Sequence, residues 1–214
     1  MFKFEKIKVN EIIAIDDLMI ADKAVTCVLG QSGSGKSTLL RLLNNLNSPD
    51  KGEILYQGQS LEEIDPVTLR RKITMVSQTP VIFEGTIRDN LLIGLQFSEQ
   101  DSVSDEVLKQ ILNRISLHKE LNMDAADLSG GEQQRLALAR VLLLDAEVFL
   151  LDEPSSALDD TTANNVIQTF VEQIKKDGNT IIMVTHDKKL ADLVADYMVC
   201  MDDYSLALSE KEGV

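Results

Sequence analysis

The sequence contains no tryptophan, two cysteines and 4% aromatic residues, and no apolar run in it is long enough to cross a bilayer. Two cysteines cannot form a disulfide framework; Cys27 and Cys200 both lie in apolar, strand-like runs, so we expect two buried free thiols. Residues 1–6 lack the apolar stretch of a secretory signal. We therefore expect a cytoplasmic protein that does not itself insert into a membrane.

Basic residues are scarce relative to acidic ones. There are 21 lysines and arginines against 35 aspartates and glutamates, which gives a formal net charge of −14. A nucleic-acid partner is disfavoured, because neutralising a phosphate backbone needs a basic surface. Unaided adsorption to an anionic membrane is disfavoured for the same reason. Any phosphate ligand must be held by a local device.

One such device is present near the N-terminus. Residues 30–38 read G-Q-S-G-S-G-K-S-T, after the apolar run 24–29 and before the helical pattern 39–46. A strand, a glycine-rich turn and a helix in this order are typical of a phosphate loop, whose backbone N–H groups and helix dipole hold an anion. In such a loop Lys36 reaches the β- and γ-phosphates and Ser37 ligates Mg²⁺. The candidate phosphate-binding residues are Gly30, Gln31, Ser32, Gly33, Ser34, Gly35, Lys36, Ser37 and Thr38.

Hydrophobic periodicity predicts an α/β domain with a helical insertion. Strand patterns lie at residues 2–9 (half-exposed and antiparallel), 12–20, 24–29, 53–56, 73–77, 148–151, 179–184 and 198–201. Helical patterns lie at residues 39–46, 66–71, 86–93, 104–115, 129–144, 161–176 and 188–195, with a polar loop at 96–101. We expect one domain, with a core formed by residues 1–82 and 146–214 and a helical subdomain at 83–145.

Two carboxylates follow the apolar strand V-F-L-L at residues 148–151. Open α/β sheets place ligands at the C-terminal ends of their strands. Asp152 can hold Mg²⁺ there, and Glu153 can take a proton from an attacking water. An isolated Asp-Glu pair is more often solvated loop charge, but a phosphate loop in the same chain favours the functional interpretation.

The most specific pattern is L-S-G-G-E-Q-Q-R at residues 128–135. Ser129 and Glu132 have the spacing of a capping box at a helix start. Gly130 and Gly131 cost that helix roughly 1 kcal/mol each relative to alanine, and a purely structural cap does not need them. Bare N–H groups at a helix start form a second anion site. The sequence therefore predicts two phosphate-binding ends in one chain.

This pattern resembles the signature of the ATP-binding subunits of ATP-binding-cassette (ABC) transporters, and the resemblance covers nearly the whole chain. It implies a P-loop NTPase (RecA-like) core with an antiparallel β subdomain and a helical signature subdomain. Gln78 matches the family's glutamine that contacts Mg²⁺ or water, and His186 matches the histidine that contacts the γ-phosphate. Asp159 matches the aspartate of the loop that follows the second carboxylate. The implied cofactors are ATP and Mg²⁺, with catalytic roles for Gln78, Glu153 and His186.

The resemblance also implies partners. Two chains would pair head to tail with ATP, each presenting Ser129, Gly130, Gly131 and Glu132 to the nucleotide on its partner's Lys36. The homodimer would drive a separate integral membrane permease, placing the protein peripherally on the inner face of the cell membrane. The stretch 122–127 lacks the Gly-Glu element of fused exporters, which favours a separate membrane subunit.

Two local features refine these expectations. Family members usually stack an aromatic ring on adenine from between the first two strands, whereas residues 9–13 here contain none. We expect Ile12 or Ile13 to pack on the base instead, with weaker discrimination between ATP and GTP.

Residues 77–83 and 86–91 resemble the iron-export ATP-binding proteins of the FetA type. Ile82 and Phe83 are candidate contacts for the permease, or else core residues.

Two other functions stay open. One is an ABC ATPase without a transporter, of the assembly-scaffold type, which co-purification with a membrane protein would decide. The other is a nucleotide-gated binding module without catalysis. The presence of Asp152, Glu153 and His186 disfavours the second alternative.

Overall fold

The computed structural model of the chain describes residues 1–158 and 160–206. In chain order, the strands are β1 (Phe2–Val9), β2 (Ile13–Ile20), β3 (Val25–Leu29), β4 (Lys51–Tyr56), β5 (Gln59–Ser60), β6 (Ile73–Val76), β7 (Val148–Asp152), β8 (Thr180–Val184) and β9 (Tyr197–Cys200). The helices are α1 (Lys36–Leu43), α2 (Pro66–Lys72), α3 (Ile87–Phe97), α4 (Asp105–Arg114), α5 (Gly130–Leu142), α6 (Asp160–Lys176) and α7 (Lys188–Val194).

The strands form two sheets. The order β2-β1-β4-β5 makes a four-stranded antiparallel sheet, and the alternating apolar and charged residues of β1 place Phe2, Phe4 and Val9 inside. A five-stranded parallel sheet has the order β6-β7-β8-β3-β9. Strands β7 and β8 are buried throughout, as the uniformly apolar pattern predicts for strands covered on both faces.

Two apolar clusters lie on opposite faces of the parallel sheet. Along β7, Val148 and Leu150 contribute to a cluster shared with α1 and the antiparallel sheet. Phe149 and Leu151 contribute to the other cluster, which includes residues of α3 to α7. Because successive strand residues point to opposite faces, one short strand joins both cores. The helical segment thus packs directly on the sheet that carries the phosphate loop.

The helices follow the sequence prediction with shifted ends. Asp65 caps α2 by accepting from the Thr68 N–H at 2.8 Å, with Pro66 at the first helical position, as predicted. Helix α1 begins at Lys36, the start expected from the phosphate loop, and ends at Leu43, before the end of its apolar pattern at residue 46. Helix α3 extends to Phe97, into the segment expected as a polar loop, because Leu91 and Leu95 continue its buried face. The two-residue strand β5 was not predicted.

The two cysteines differ, which corrects the expectation that both are buried. Cys27 is buried in β3, and burial raises the pKa of its thiol to about 12. Cys200 is exposed on β9, which lies at the edge of the parallel sheet and, among the described strands, pairs only with β3. An apolar run at a sheet edge is buried less than the same run in the sheet interior. Within the described residues, no helix is long and apolar enough to span a membrane.

Candidate functional site

A cavity of about 490 Å³ opens at the C-terminal ends of β3 and β8. It is lined by Ile12, Gly30, Ser32, Gly33, Gly35, Lys36, Ser37, Thr38, Gln78, Glu153, Val184 and His186. The parallel sheet therefore brings together most of the predicted phosphate loop with Gln78, Glu153 and His186. Gln31 and Ser34 belong to the same loop but are absent from the cavity lining.

The loop conformation depends on glycine where α1 begins. Gly35 caps the helix with a φ of +94°, and a Cβ there would lie 2.6 Å from Cγ1 of Ile13. A side chain at this position would meet both backbone strain and a buried neighbour. The loop backbone can consequently lie close to any ligand in the cavity, with the N-terminus of α1 directed at it.

Lys36 and Ser37, at the start of α1, have polar partners within the chain. The Lys36 Nζ donates to the carbonyl oxygens of Gly30 and Gln31, each at 2.8 Å. The Ser37 Oγ donates to Asp152 Oδ1 at 3.1 Å, and Asp152 is almost fully buried. A hydroxyl and a carboxylate this close supply the hard oxygen ligands that Mg²⁺ prefers, so this pair fits a magnesium ion that also contacts a phosphate.

Glu153 and His186 meet beside the cavity. Glu153 Oε2 lies 2.8 Å from His186 Nδ1 and accepts from the His186 backbone N–H at 3.3 Å. Glu153 has a φ of +48°, and its own backbone N–H donates to the Val184 carbonyl at 3.0 Å. Left-handed backbone at a non-glycine residue costs stability and is concentrated at functional sites. The carboxylate of this left-handed residue lies across the sheet end in contact with His186.

The predicted second anion site lies at the start of α5. Ser129 and Glu132 form the expected capping box, and Glu132 Oε2 accepts from the Ser129 backbone N–H at 2.9 Å and from its hydroxyl at 2.8 Å. Lys119 Nζ contacts Glu132 Oε1 at 2.9 Å. The Lys119 hydrogen bond, followed by those from Ser129, lowers the pKa of Glu132 to about 2.

The two glycines of this segment have different surroundings. A Cβ on Gly130 would meet no atom within 4 Å, whereas one on Gly131 would lie 3.0 Å from the Ala157 carbonyl oxygen. Packing therefore accounts for Gly131 but not for Gly130. None of Ser129, Gly130, Gly131 and Glu132 lines the cavity around Lys36 in the same chain.

Sequence reasoning missed two residues of these sites. Asp202 Oδ1 accepts from the Gln31 backbone N–H at 2.8 Å, which fixes the first turn of the loop. Lys119 pairs with Glu132 from the segment after α4. Neither residue lies in a recognisable pattern, because both contacts join separate parts of the chain. Of the two isoleucines proposed for the base, Ile13 is fully buried and Ile12 lines the cavity. Asp159 lies outside the described residues.

Comparison with known proteins gives consistent matches. The profile of the family described as "ABC transporter" matches residues 15–156. Protein STAR1 of Oryza sativa subsp. japonica is 42% identical over 193 residues, covering 90% of this chain and 55% of that protein, so the chain spans about half of its length. The phosphate import ATP-binding protein PstB 3 of Natronomonas pharaonis is 39% identical over 196 residues, which cover 86% of this chain and 70% of that protein.

Among solved structures, the ATP-binding cassette MJ0796 superimposes with a TM-score of 0.81. Its structure is described as a dimer in a post-hydrolysis state bound to ADP and Pi. Sequence identity is 27%, and the match covers 94% of each chain.

Proposed function

The chain belongs to the ABC transporter family and is an ATPase of that family, and on that premise we propose that two copies pair head to tail around ATP. In this arrangement each nucleotide lies between the phosphate loop of one copy and the start of α5 of the other. The dimer would then power transport through a separate permease.

One observation carries this proposal. The start of α5 bears a glycine with no packing reason and lies outside the cavity that holds the phosphate loop of its own chain. An N-terminal helix end with bare N–H groups binds anions well. A second copy is the simplest source of a nucleotide for it, and the matched cassette MJ0796 is dimeric with ADP and Pi bound.

The residues around the cavity divide the chemical work. Lys36 and the N–H groups of the loop hold the phosphates. The Gln31 N–H donates to Asp202 and the Ser34 N–H to the Gln31 carbonyl, so these two residues contribute by shaping the loop. Ser37, Asp152 and Gln78 hold Mg²⁺, which neutralises phosphate charge when bound. Glu153 accepts a proton from the attacking water, while His186, 2.8 Å from that carboxylate, orients it and meets the γ-phosphate. Asp159 is proposed as a further contact from the sequence alone.

A second cavity, of about 170 Å³, suits the permease. Val81 is 54% exposed and Phe97 66% exposed at its rim, and Phe83 packs edge-on against Phe97 with ring centroids 6.0 Å apart. The Arg140 guanidinium lies 4.9 Å from the centre of the Phe83 ring. Ile82 packs on the core, so of the two predicted contacts Phe83 is the better one. A permease bound here would hold the protein at the inner face of the cell membrane.

The cargo is the finer part of the proposal. Resemblance of residues 77–83 and 86–91 to the FetA type is the basis for proposing export of a metal ion such as iron. The name of PstB 3 states phosphate import, and family membership does not choose between the two directions. The assembly-scaffold alternative is not favoured by a family described as transporters. Co-purification of a permease with the full chain tests transport directly.

Substitution of Glu153 by glutamine tests the catalytic part. Glu153→Gln keeps the shape of the site but cannot accept the proton, so turnover should fall by about 10²–10⁴ while ATP binding persists. The variant should accumulate as an ATP-bound dimer in sedimentation velocity. Glu62→Gln removes an exposed carboxylate from a remote turn and should behave as the parent chain. Full phosphate release by Glu153→Gln would contradict the assignment.

A further inference from the structure

The start of α5 presents a charge problem if it meets a nucleotide. Glu132 is ionised at neutral pH, since its pKa lies at about 2, and it bonds directly to Ser129. An ATP from a second copy would bring several negative charges to the same helix end. Like charges at an interface disfavour association unless a cation neutralises one of them.

Lys119 is the cation in contact with this carboxylate. Its Nζ lies 2.9 Å from Glu132 Oε1, and the Glu132 side chain is only 19% exposed. The buried residues Leu117 and Leu121 anchor the backbone two positions before and after Lys119. The ammonium group is therefore delivered to Glu132 by a fixed segment rather than by a free surface loop.

The two carboxylate oxygens of Glu132 have different partners. Oε1 faces Lys119, and Oε2 accepts both bonds from Ser129. A cation on one oxygen draws negative charge from the other and weakens it as an acceptor. The Ser129 hydroxyl has one proton, and it must leave Oε2 before it can donate to a phosphate.

We propose that Lys119 is a positioning residue of the second anion site: it neutralises Glu132 and frees the Ser129 hydroxyl for the nucleotide of the partner copy. This inference rests on the proposed head-to-tail dimer. It explains how a signature with an acidic residue at its fifth position, Glu132, accepts a triphosphate in a chain of net charge −14.

A double-mutant cycle in the Glu153→Gln chain tests this role. The variants are Lys119→Met, Glu132→Gln and their combination, with Lys119→Arg as the conservative change. Sedimentation velocity gives the ATP concentration for half-maximal dimer. We expect Lys119→Met to raise it about tenfold and Lys119→Arg to leave it within about twofold. Glutamine at 132 has no charge to neutralise, so the combination should recover to within about twofold of Glu132→Gln alone.

Controls separate this role from simple folding. Lys109→Met removes an exposed lysine that lines the same cavity as the half-buried Lys119 and should not change dimer formation. Binding of a fluorescent ATP analogue to the monomer should be unchanged in Lys119→Met, because Lys119 does not line the cavity of the phosphate loop. Urea unfolding checks each fold, and Lys119→Gln replaces Lys119→Met in the cycle if the latter does not fold.

The outcomes are distinguishable. The inference is supported if Lys119→Met weakens dimer formation and adding Glu132→Gln restores it. Unchanged dimer formation in Lys119→Met, or a loss that Glu132→Gln does not recover, overturns it while the dimer stands. If the parent Glu153→Gln chain forms no dimer with ATP, the proposed dimer and this inference fall together.

Discussion

At the residue scale, Ile12 is the residue that we propose to pack on the base in place of the aromatic ring usual in the family. It lines the nucleotide cavity while its neighbour Ile13 is fully buried beneath Gly35. A branched aliphatic side chain offers apolar contact but no ring face for stacking. Contact of this kind carries little information about the base edge, so ATP and GTP should be treated alike.

We expect kcat/KM for ATP and GTP to agree within about threefold, because apolar contact alone discriminates little between bases. Ile12→Tyr should lower KM for both by roughly tenfold, since a stacked base contributes about 1–3 kcal/mol. Steady-state phosphate release with each nucleotide measures both effects. Met19→Tyr, at an exposed position of β2, is the matched control. A strong preference of the parent chain for ATP would show that other groups read the base.

At the element scale, helix α5 has a well-packed apolar face but begins with residues of low helix propensity. Its buried face includes Leu136, Leu138 and Val141, yet the first two positions are both glycine. Gly131 is matched to the Ala157 carbonyl, so only Gly130 is left without a local reason. We therefore expect the Gly130 backbone N–H, which no side chain covers, to serve in anion binding.

Gly130→Ala should leave the monomer as stable as the parent or more stable by up to about 1 kcal/mol, because alanine is the better helix former and no neighbour is displaced. ATP turnover should nevertheless drop, since the new methyl group covers the exposed helix end. Gly131→Ala should leave the monomer less stable than Gly130→Ala does, because its Cβ would lie 3.0 Å from the Ala157 carbonyl oxygen and offset the gain in helix propensity. Urea unfolding and phosphate release separate the two. A fully active Gly130→Ala chain would remove this helix end from catalysis.

The sequence predicted the elements that contain a motif better than those without one. The strand before Asp152 and the loop before Lys36 are fixed by local pattern, so their positions were predicted within a few residues. The exposure of Cys200 depends on strand order, which the sequence does not state. The contacts of Asp202 and Lys119 arise only when distant segments fold together.

At the scale of the whole molecule, charge works against assembly. A net charge of −14 on each copy means that two copies repel as they approach. The contacts that we propose to favour pairing lie at the two anion sites. The balance between the long-range repulsion of the two copies and the contacts at the anion sites should therefore depend on ionic strength.

Raising the salt concentration from about 0.01 M to about 0.15 M shortens the Debye length from about 30 Å to about 8 Å. Dimer formation by Glu153→Gln with ATP should strengthen over this range, because screening weakens the long-range repulsion more than the close contacts. Sedimentation velocity at several salt concentrations measures it, with sucrose of equal osmolality as the control. A dimer that weakens as salt rises would indicate that the contacts themselves are dominated by unscreened attraction.

Lys36 and Asp152, the two charged groups at the phosphate loop, each have a hydrogen-bond partner within the chain, and this has a consequence for repeated turnover. Asp152 is held by Ser37, and Lys36 by two carbonyl groups, so departure of a product strands neither charge in a dry environment. Each arriving nucleotide exchanges internal bonds for external ones of the same kind. We therefore expect product to leave the catalytic end of the sheet without local unfolding between rounds.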